Sequence, residues 1–200
     1  MAVRAFVFLL LIGLSSLSVA EVDRGVDAYE QGKNSVALRY WMPLARKGDA
    51  LAENNLGVMY QRGLGVAQDY QKARSWFEKA ANQDLAEAKV NLGLLYFDGS
   101  GVAQDYEKAF TLFSAAAREQ IPEALHMLGL QMYSGLGVPV DFQEAFQNFK
   151  DSAVLGYPES QYMLAYIYQA GDLGREQPDL AYVWSKIAVD YSDFEIARDL

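Results

Sequence analysis

The chain has 200 residues, with 26 acidic and 17 basic side chains, a formal net charge of −9 and no cysteine. Without cysteine it can form neither disulfides nor metal–thiolate sites, so packing alone must stabilise it. The negative charge and the absence of a Lys/Arg cluster argue against nucleic acid and anionic membrane surfaces as partners.

Residues 1–20 have the pattern of a signal peptide. Arg4 precedes an unbroken apolar run from Ala5 to Leu14, and small residues stand at Ser18 and Ala20. The run is shorter than the roughly 20 residues that a membrane-spanning helix needs. We therefore expect cleavage after Ala20 and a periplasmic or secreted protein without stable membrane insertion. A single uncleaved membrane anchor is the alternative.

The rest of the chain is organised by a 36-residue repeat. The pair Leu56-Gly57 recurs twice more at this spacing, as does the loop from Gly63 to Val66. A fourth copy is less faithful, and Ala165 takes its glycine position. Fixed periods of this length are typical of stacked helix pairs. The predicted units are a helix pair at 21–49, repeats at 50–85, 86–121, 122–157 and 158–190, and a capping segment at 191–200.

The first half of each repeat is predicted to be a helix, here named helix A. In the first copy Ala52, Leu56 and Met59 fall on one helical stripe. Gly57 lowers helix propensity, so its recurrence suggests that another backbone approaches closely there, with a merely tolerated glycine as the alternative. The glycines of the following loop can adopt positive φ and end the helix.

The second half, helix B, begins after an aspartate at one register, which is found at Asp69, Asp105 and Asp141. These aspartates are predicted N-caps, because a carboxylate cluster would be split by a full repeat between copies. Helix B alternates small and aromatic residues, such as Ala73 and Phe77, at helical spacing. The aromatic residues are therefore predicted to be core, and a cofactor pocket at Trp76 or Trp184 is the alternative.

The blocks LGVMYQRGLGVAQDYQKARSWFEKAA and LGLLYFDGSGVAQDYEKAFTLFSAAA resemble Sel1-like repeats, relatives of the tetratricopeptide repeat. The resemblance covers Ala50 to Asp190. It implies an all-α fold, a right-handed α-α superhelix (solenoid) of helix pairs whose A helices line a concave groove that holds proteins or peptides. Met132 departs from the pattern in the third copy, and the fourth lacks the loop valine, which puts the local loop geometry in doubt.

By analogy with the tetratricopeptide arrangement, the resemblance places three helix-A residues of each repeat in the groove. They are Asn54, Val58, Gln61, Val90, Leu94, Phe97, His126, Leu130, Tyr133, Tyr162, Tyr166 and Gln169. Their apolar and aromatic character suggests a contact surface. The alternative is a superhelix that curls tightly enough to bury them.

The sequence lacks the residue sets of common enzymes. The one histidine, His126, can form neither a histidine metal site nor a HExxH pair, and no Ser-x-x-Lys spacing occurs. We therefore predict no enzyme activity, cofactor or metal, and a protein- or peptide-binding scaffold of the cell envelope. The alternatives are an envelope enzyme or small-ligand binder using the groove, and a self-associating structural array. A lone base or pH-sensitive contact at His126 is weighed against an ordinary helix-surface histidine.

Overall fold

The structure is a computed structural model that describes residues 20–198, with side chains described up to Val189. All regular elements in this range are α-helices, which confirms the all-α fold class. Among these residues, no helix has both the length and the apolar character needed to cross a membrane. The predicted signal peptide, apart from Ala20, lies outside the described residues.

The described residues divide into two compact units, one up to Ala88 and one from Lys89. The helices of the first unit are α1 (20–30), α2 (Asn34–Arg46), α3 (Ala50–Arg62) and α4 (Tyr70–Ala81). Trp41 of α2 is buried, and its indole N–H donates to the carbonyl of Val22 at 3.2 Å. This bond ties α1 to α2 beside a core that includes Leu56 and Met59.

The second unit contains most of α5 (Ala86–Asp98), which begins at the end of the first unit. The remaining helices are α6 (Tyr106–Ala117), α7 (Pro122–Ser134), α8 (Phe142–Val154), α9 (Pro158–Ala170) and α10 (Pro178–Arg198). Because α10 is continuous, the predicted capping segment extends this helix as far as Arg198. From its sequence, this segment is predicted to contact the last helix pair through Phe194 and either Ile196 or Ala197, and these residues lie outside the described side chains.

The loops between helices A and B in the first and fourth repeats share two features. Gly63 ends α3 with a φ of 70°, and Gly171 ends α9 with a φ of 73°. The N–H of Asp69 donates to the carbonyl of Tyr60 at 2.9 Å, and Gln177 donates to Tyr168 at 2.8 Å. The fourth loop therefore keeps this glycine end and this hydrogen bond although it lacks the valine.

The three aspartates that precede helix B are N-caps, as predicted. The carboxylate of Asp69 accepts from the N–H of Lys72 at 3.0 Å, and Asp105 accepts from Lys108 at 2.9 Å. Asp141 makes the equivalent bond at 2.9 Å. Each carboxylate therefore satisfies one of the free amides at the start of α4, α6 and α8.

The recurring glycine of helix A lies against the phenylalanine of helix B, whose ring is fully buried. A Cβ atom added to the glycine would meet a ring carbon of that phenylalanine at a short distance. The pairs are Gly57 and Phe77 (2.4 Å), Gly93 and Phe113 (2.6 Å), and Gly129 and Phe149 (2.8 Å). The predicted close approach is confirmed, but the expectation of a second backbone is wrong, because the nearest neighbour is an aromatic ring.

Gly93→Ala should destabilise the protein although alanine is the better helix former. Overpacking a core costs about 1–3 kcal/mol, and the gain in helix propensity is about 1 kcal/mol, so we expect a net loss of about 1 kcal/mol. Urea denaturation measures this change. In a Phe113→Leu background the crowding ring atoms are gone, and the same substitution should become stabilising. If Gly93→Ala changed the free energy of unfolding equally with and without Phe113→Leu, the contact between Gly93 and the Phe113 ring would be contradicted.

Candidate protein-binding site

The predicted groove positions of the first unit differ in exposure. Asn54 is buried, whereas Val58 and Gln61 are half-buried. Val58 lines a cleft of about 300 Å³ with α1 and α2 residues that include Tyr29 and Trp41. Asn54 therefore belongs to the interior, and Val58 is the predicted residue that lines an opening of this unit.

In the second repeat, Val90 is only 2% exposed and forms part of the core. Leu94 and Phe97 are half-buried. The Phe97 ring packs against Tyr106 and Phe113, with ring centroids 5.1 Å and 6.5 Å apart. The groove prediction therefore does not hold for Val90, and the contact surface of Phe97 is partly used inside the repeat.

In the third repeat, Leu130 and Tyr133 are half-buried and pack against a core that contains Phe149. The Tyr133 hydroxyl donates to Oδ2 of Asp172 at 2.6 Å. Burial raises the pKa of Tyr133, and the hydrogen bond to Asp172 raises it further, because both favour the neutral phenol. This tyrosine is held by an internal contact.

His126 is half-buried at the end of a chain of hydrogen bonds. Ser152 donates its hydroxyl to the carbonyl of Pro122 at 2.7 Å, and Ser160 donates to Ser152 at 2.8 Å. Nδ1 of His126 lies 2.9 Å from the Ser160 hydroxyl oxygen. Since the hydroxyl hydrogen of Ser160 is already used, the consistent assignment makes Nδ1–H of His126 the donor.

The surroundings of His126 favour the neutral imidazole. Its ring centroid lies 5.5 Å from that of Phe149 and 5.2 Å from that of Tyr157. Burial lowers the pKa of His126, and the Glu159 carboxylate offsets only part of this effect. Ser152 and Ser160 are both fully buried. This series of hydrogen bonds is therefore an internal support for α7, α8 and α9.

The fourth repeat presents its predicted residues to solvent. Tyr162 and Tyr166 are 47% and 57% exposed, and Gln169 is exposed beside them. All three line a cleft of about 510 Å³ between α9 and α10. The opposite wall of this cleft was not predicted, and it is formed by Pro178, Ala181, Tyr182 and Ser185. The 36-residue spacing contained a signal for it, because Ser185 stands at the position of Phe149.

The residues that line the cleft are suited to binding more than to catalysis. Its lining residues are aromatic, small or uncharged polar, and the Ser185 hydroxyl donates to the carbonyl of Tyr182 at 2.8 Å. That hydroxyl hydrogen is directed at its own helix and not at a base.

Trp76 and Trp184, the alternative cofactor residues, pack against the cores of the first and second unit respectively. Among the side chains that the structure describes, which end at Val189, no group of three or more His, Asp or Glu residues is placed to hold a metal ion.

A family model, the Sel1 repeat, matches the chain in four consecutive segments. They are residues 50–85, 86–120, 122–157 and 158–190, which together cover more than half of the chain.

The chain is also similar to proteins from a virus and from bacteria. A Sel1-like repeat-containing protein of Acanthamoeba polyphaga mimivirus is 31% identical over 87 residues, which is 42% of this chain and 16% of that protein. The chain thus matches only about a sixth of that relative's length. Among solved structures, a Sel1 repeat protein from Oxalobacter formigenes has 30% identity and a TM-score of 0.79, covering 85% of this chain and 69% of that one.

A second solved structure is a protective antigen present in uropathogenic Escherichia coli strains and described as having an SLR fold. It has 27% identity and a TM-score of 0.74, covering 89% of this chain and 39% of that one. The structural neighbours are Sel1 repeat solenoids, and the fold class predicted for this chain is confirmed.

The lowered pKa of His126 predicts a specific loss of stability in mild acid. Above pH about 6.5 the histidine is neutral in both folded and unfolded chains, and its contribution is intact. As the pH falls below that value, the unfolded chain takes up a proton before the folded chain does, so the free energy of unfolding decreases. His126→Asn, which keeps a donor toward Ser160, should show a shallower decrease in urea denaturation between pH about 7.5 and about 5. Parallel profiles of the two proteins would refute this prediction.

Proposed function

Because the chain belongs to the Sel1 repeat family, we propose that it is a protein- or peptide-binding scaffold of the cell envelope that acts through the helix-A face of its fourth repeat. The Sel1 repeat solenoid is commonly a protein-interaction scaffold and is generally not an enzyme fold. The binding face, the partner class and the location in the envelope are the parts that we propose.

The observation that carries the proposal is the exposure of tyrosines around the cleft between α9 and α10. Tyr162 and Tyr166 of α9 face Tyr182 of α10 across it, and all three are exposed. Tyrosine combines a large apolar ring with a polar hydroxyl and is enriched in protein interfaces and their hot spots. The predicted residues of the second and third repeats are half-buried or buried, so the fourth repeat offers the most accessible part of the predicted groove within the second unit.

The proposed location rests on the sequence of residues 1–20. The basic start, the apolar run and the small residues before Glu21 are the features that export machinery recognises.

Small-ligand binding is the second candidate, because about 510 Å³ falls within the usual volume range of ligand sites. Such sites generally use a few converging polar groups to orient the ligand. Here Gln169 and the tyrosine hydroxyls are the polar groups of the lining, and Ser185 is already bonded to Tyr182. The balance of apolar wall and exposed rings favours a protein side chain as the occupant.

Affinity capture from an envelope extract tests the proposed face. Tyr162→Asp/Tyr166→Asp places two charges in the apolar contact and should reduce the captured partner by about tenfold or more. Val154→Asp is the matched control, because Val154 is 71% exposed on α8 and does not line this cleft. An unchanged set of partners in the double variant would refute the face, and recovery of only the chain itself would indicate self-association.

A further inference from the structure

The cleft of the fourth repeat occupies the place where the other repeats hold an aromatic ring. Phe77, Phe113 and Phe149 pack on the glycine of helix A in the first three repeats. In the fourth repeat the glycine is replaced by Ala165 and the phenylalanine by Ser185. Both residues line the cleft of about 510 Å³.

The change extends to a cluster of three rings. In the third repeat, Tyr133 packs against Phe142 and Phe149, with ring centroids 5.2 Å and 6.4 Å apart. The second repeat has the same cluster, in which Phe97 lies 5.1 Å from Tyr106 and 6.5 Å from Phe113. The three equivalent positions in the fourth repeat are Gln169, Pro178 and Ser185, and all three line the cleft.

We infer that this cleft receives an aromatic side chain, that of phenylalanine, tyrosine or tryptophan, from a basic segment of a partner protein. The inference rests on the proposed function, because it names what the fourth-repeat face holds. The inner wall is apolar at Ala165 and Ala181, and the tyrosines at the rim can make edge-to-face contacts with an incoming ring. The chain itself uses this arrangement between Tyr133 and Phe149.

The charge beside the cleft favours a basic partner segment. The loop and first turn that lead into α10 carry Asp172, Glu176 and Asp179, against Arg175 in the loop and Lys186 on the helix. The Asp172 carboxylate accepts the hydroxyl of Tyr133, whose ring lies 6.4 Å from the ring of Tyr166 in the cleft wall. With a net charge of −9 on the whole chain, lysine or arginine beside the aromatic residue would speed association and fix its orientation.

The sharpest test fills the cleft with a phenylalanine ring introduced into α10 itself. Ala165→Gly/Ser185→Phe restores the pair found in the first three repeats, and the glycine is needed because a Cβ at Gly129 would lie 2.8 Å from the Phe149 ring. The probe is acetyl-Lys-Phe-Lys-amide, titrated into the ¹⁵N-labelled chain and followed by amide chemical shifts. The wild type should bind it saturably, with shifts at Tyr166, Ala181 and Ser185.

The filled variant should bind this peptide about tenfold more weakly or worse, while unfolding at the same or a higher temperature. Matched peptides separate the contributions: alanine in place of phenylalanine should weaken binding about tenfold, and glutamate in place of both lysines should weaken it severalfold. Val154→Phe adds a ring at an exposed site elsewhere and should leave binding unchanged.

Gln169→Tyr provides a second variant if the filled one does not fold. It changes an exposed residue to the tyrosine found at the equivalent position 133, which packs on Phe149, so it should strengthen binding of the phenylalanine peptide and leave the alanine peptide unchanged. Equal binding of the phenylalanine and alanine peptides, no saturable binding by the wild type, or full binding by a folded filled variant would each overturn the inference.

The affinity capture experiment separates this inference from the proposed function. If Tyr162→Asp/Tyr166→Asp loses its partner while Ala165→Gly/Ser185→Phe keeps it, the face binds protein but not through an aromatic anchor, and the inference fails alone. If both variants keep the partner, the proposed function fails as well. Loss of the partner in both variants supports both.

Discussion

The contact between the helix-A glycine and the helix-B phenylalanine sets how closely the two helices of one pair approach each other. A Cβ at Gly93 would lie 2.6 Å from the Phe113 ring, so the ring reaches the backbone of helix A only because this position has no side chain. Glycine weakens a helix by roughly 0.5–1 kcal/mol, whereas full burial of a phenylalanine stabilises by about 1.5–3 kcal/mol. The packing gain is the larger effect, and it recurs in three of the four repeats.

Features that depend on local sequence were predictable. Asp105 caps α6 and Gly63 ends α3 as expected, because a cap or a left-handed turn is decided within a few residues. The recurrence of Gly57 correctly predicted a close approach, but the partner was a ring and not a backbone. A repeat period identifies equivalent positions along the chain. It does not state which side chain lies opposite them, and the partner was therefore missed.

The candidate site was harder to predict, because the resemblance assigns one role to equivalent positions in every repeat. Val90 and Tyr162 share that position, yet Val90 is 2% exposed and Tyr162 is 47% exposed. His126, also at this position, is held by Ser160 and by two neighbouring rings. Exposure depends on what helix B and the adjoining elements place around a residue, and spacing along helix A contains none of that information.

The fourth repeat keeps its helix pair although it lacks the buried phenylalanine, and Trp184 gives α10 a different aromatic contact. Position 184 precedes the phenylalanine position by one residue, which rotates its side chain about 100° around the helix axis. Trp184 packs against the core of Phe149, Leu164 and Ile167 and does not line the cleft. The aromatic anchor of α10 thus lies on the side that faces this core, at the register that Trp76 occupies in the first repeat. Because α10 is held from that side, the space beside Ala165 can stay open. The volume that a phenylalanine fills in the first three repeats is then available to a side chain of a partner.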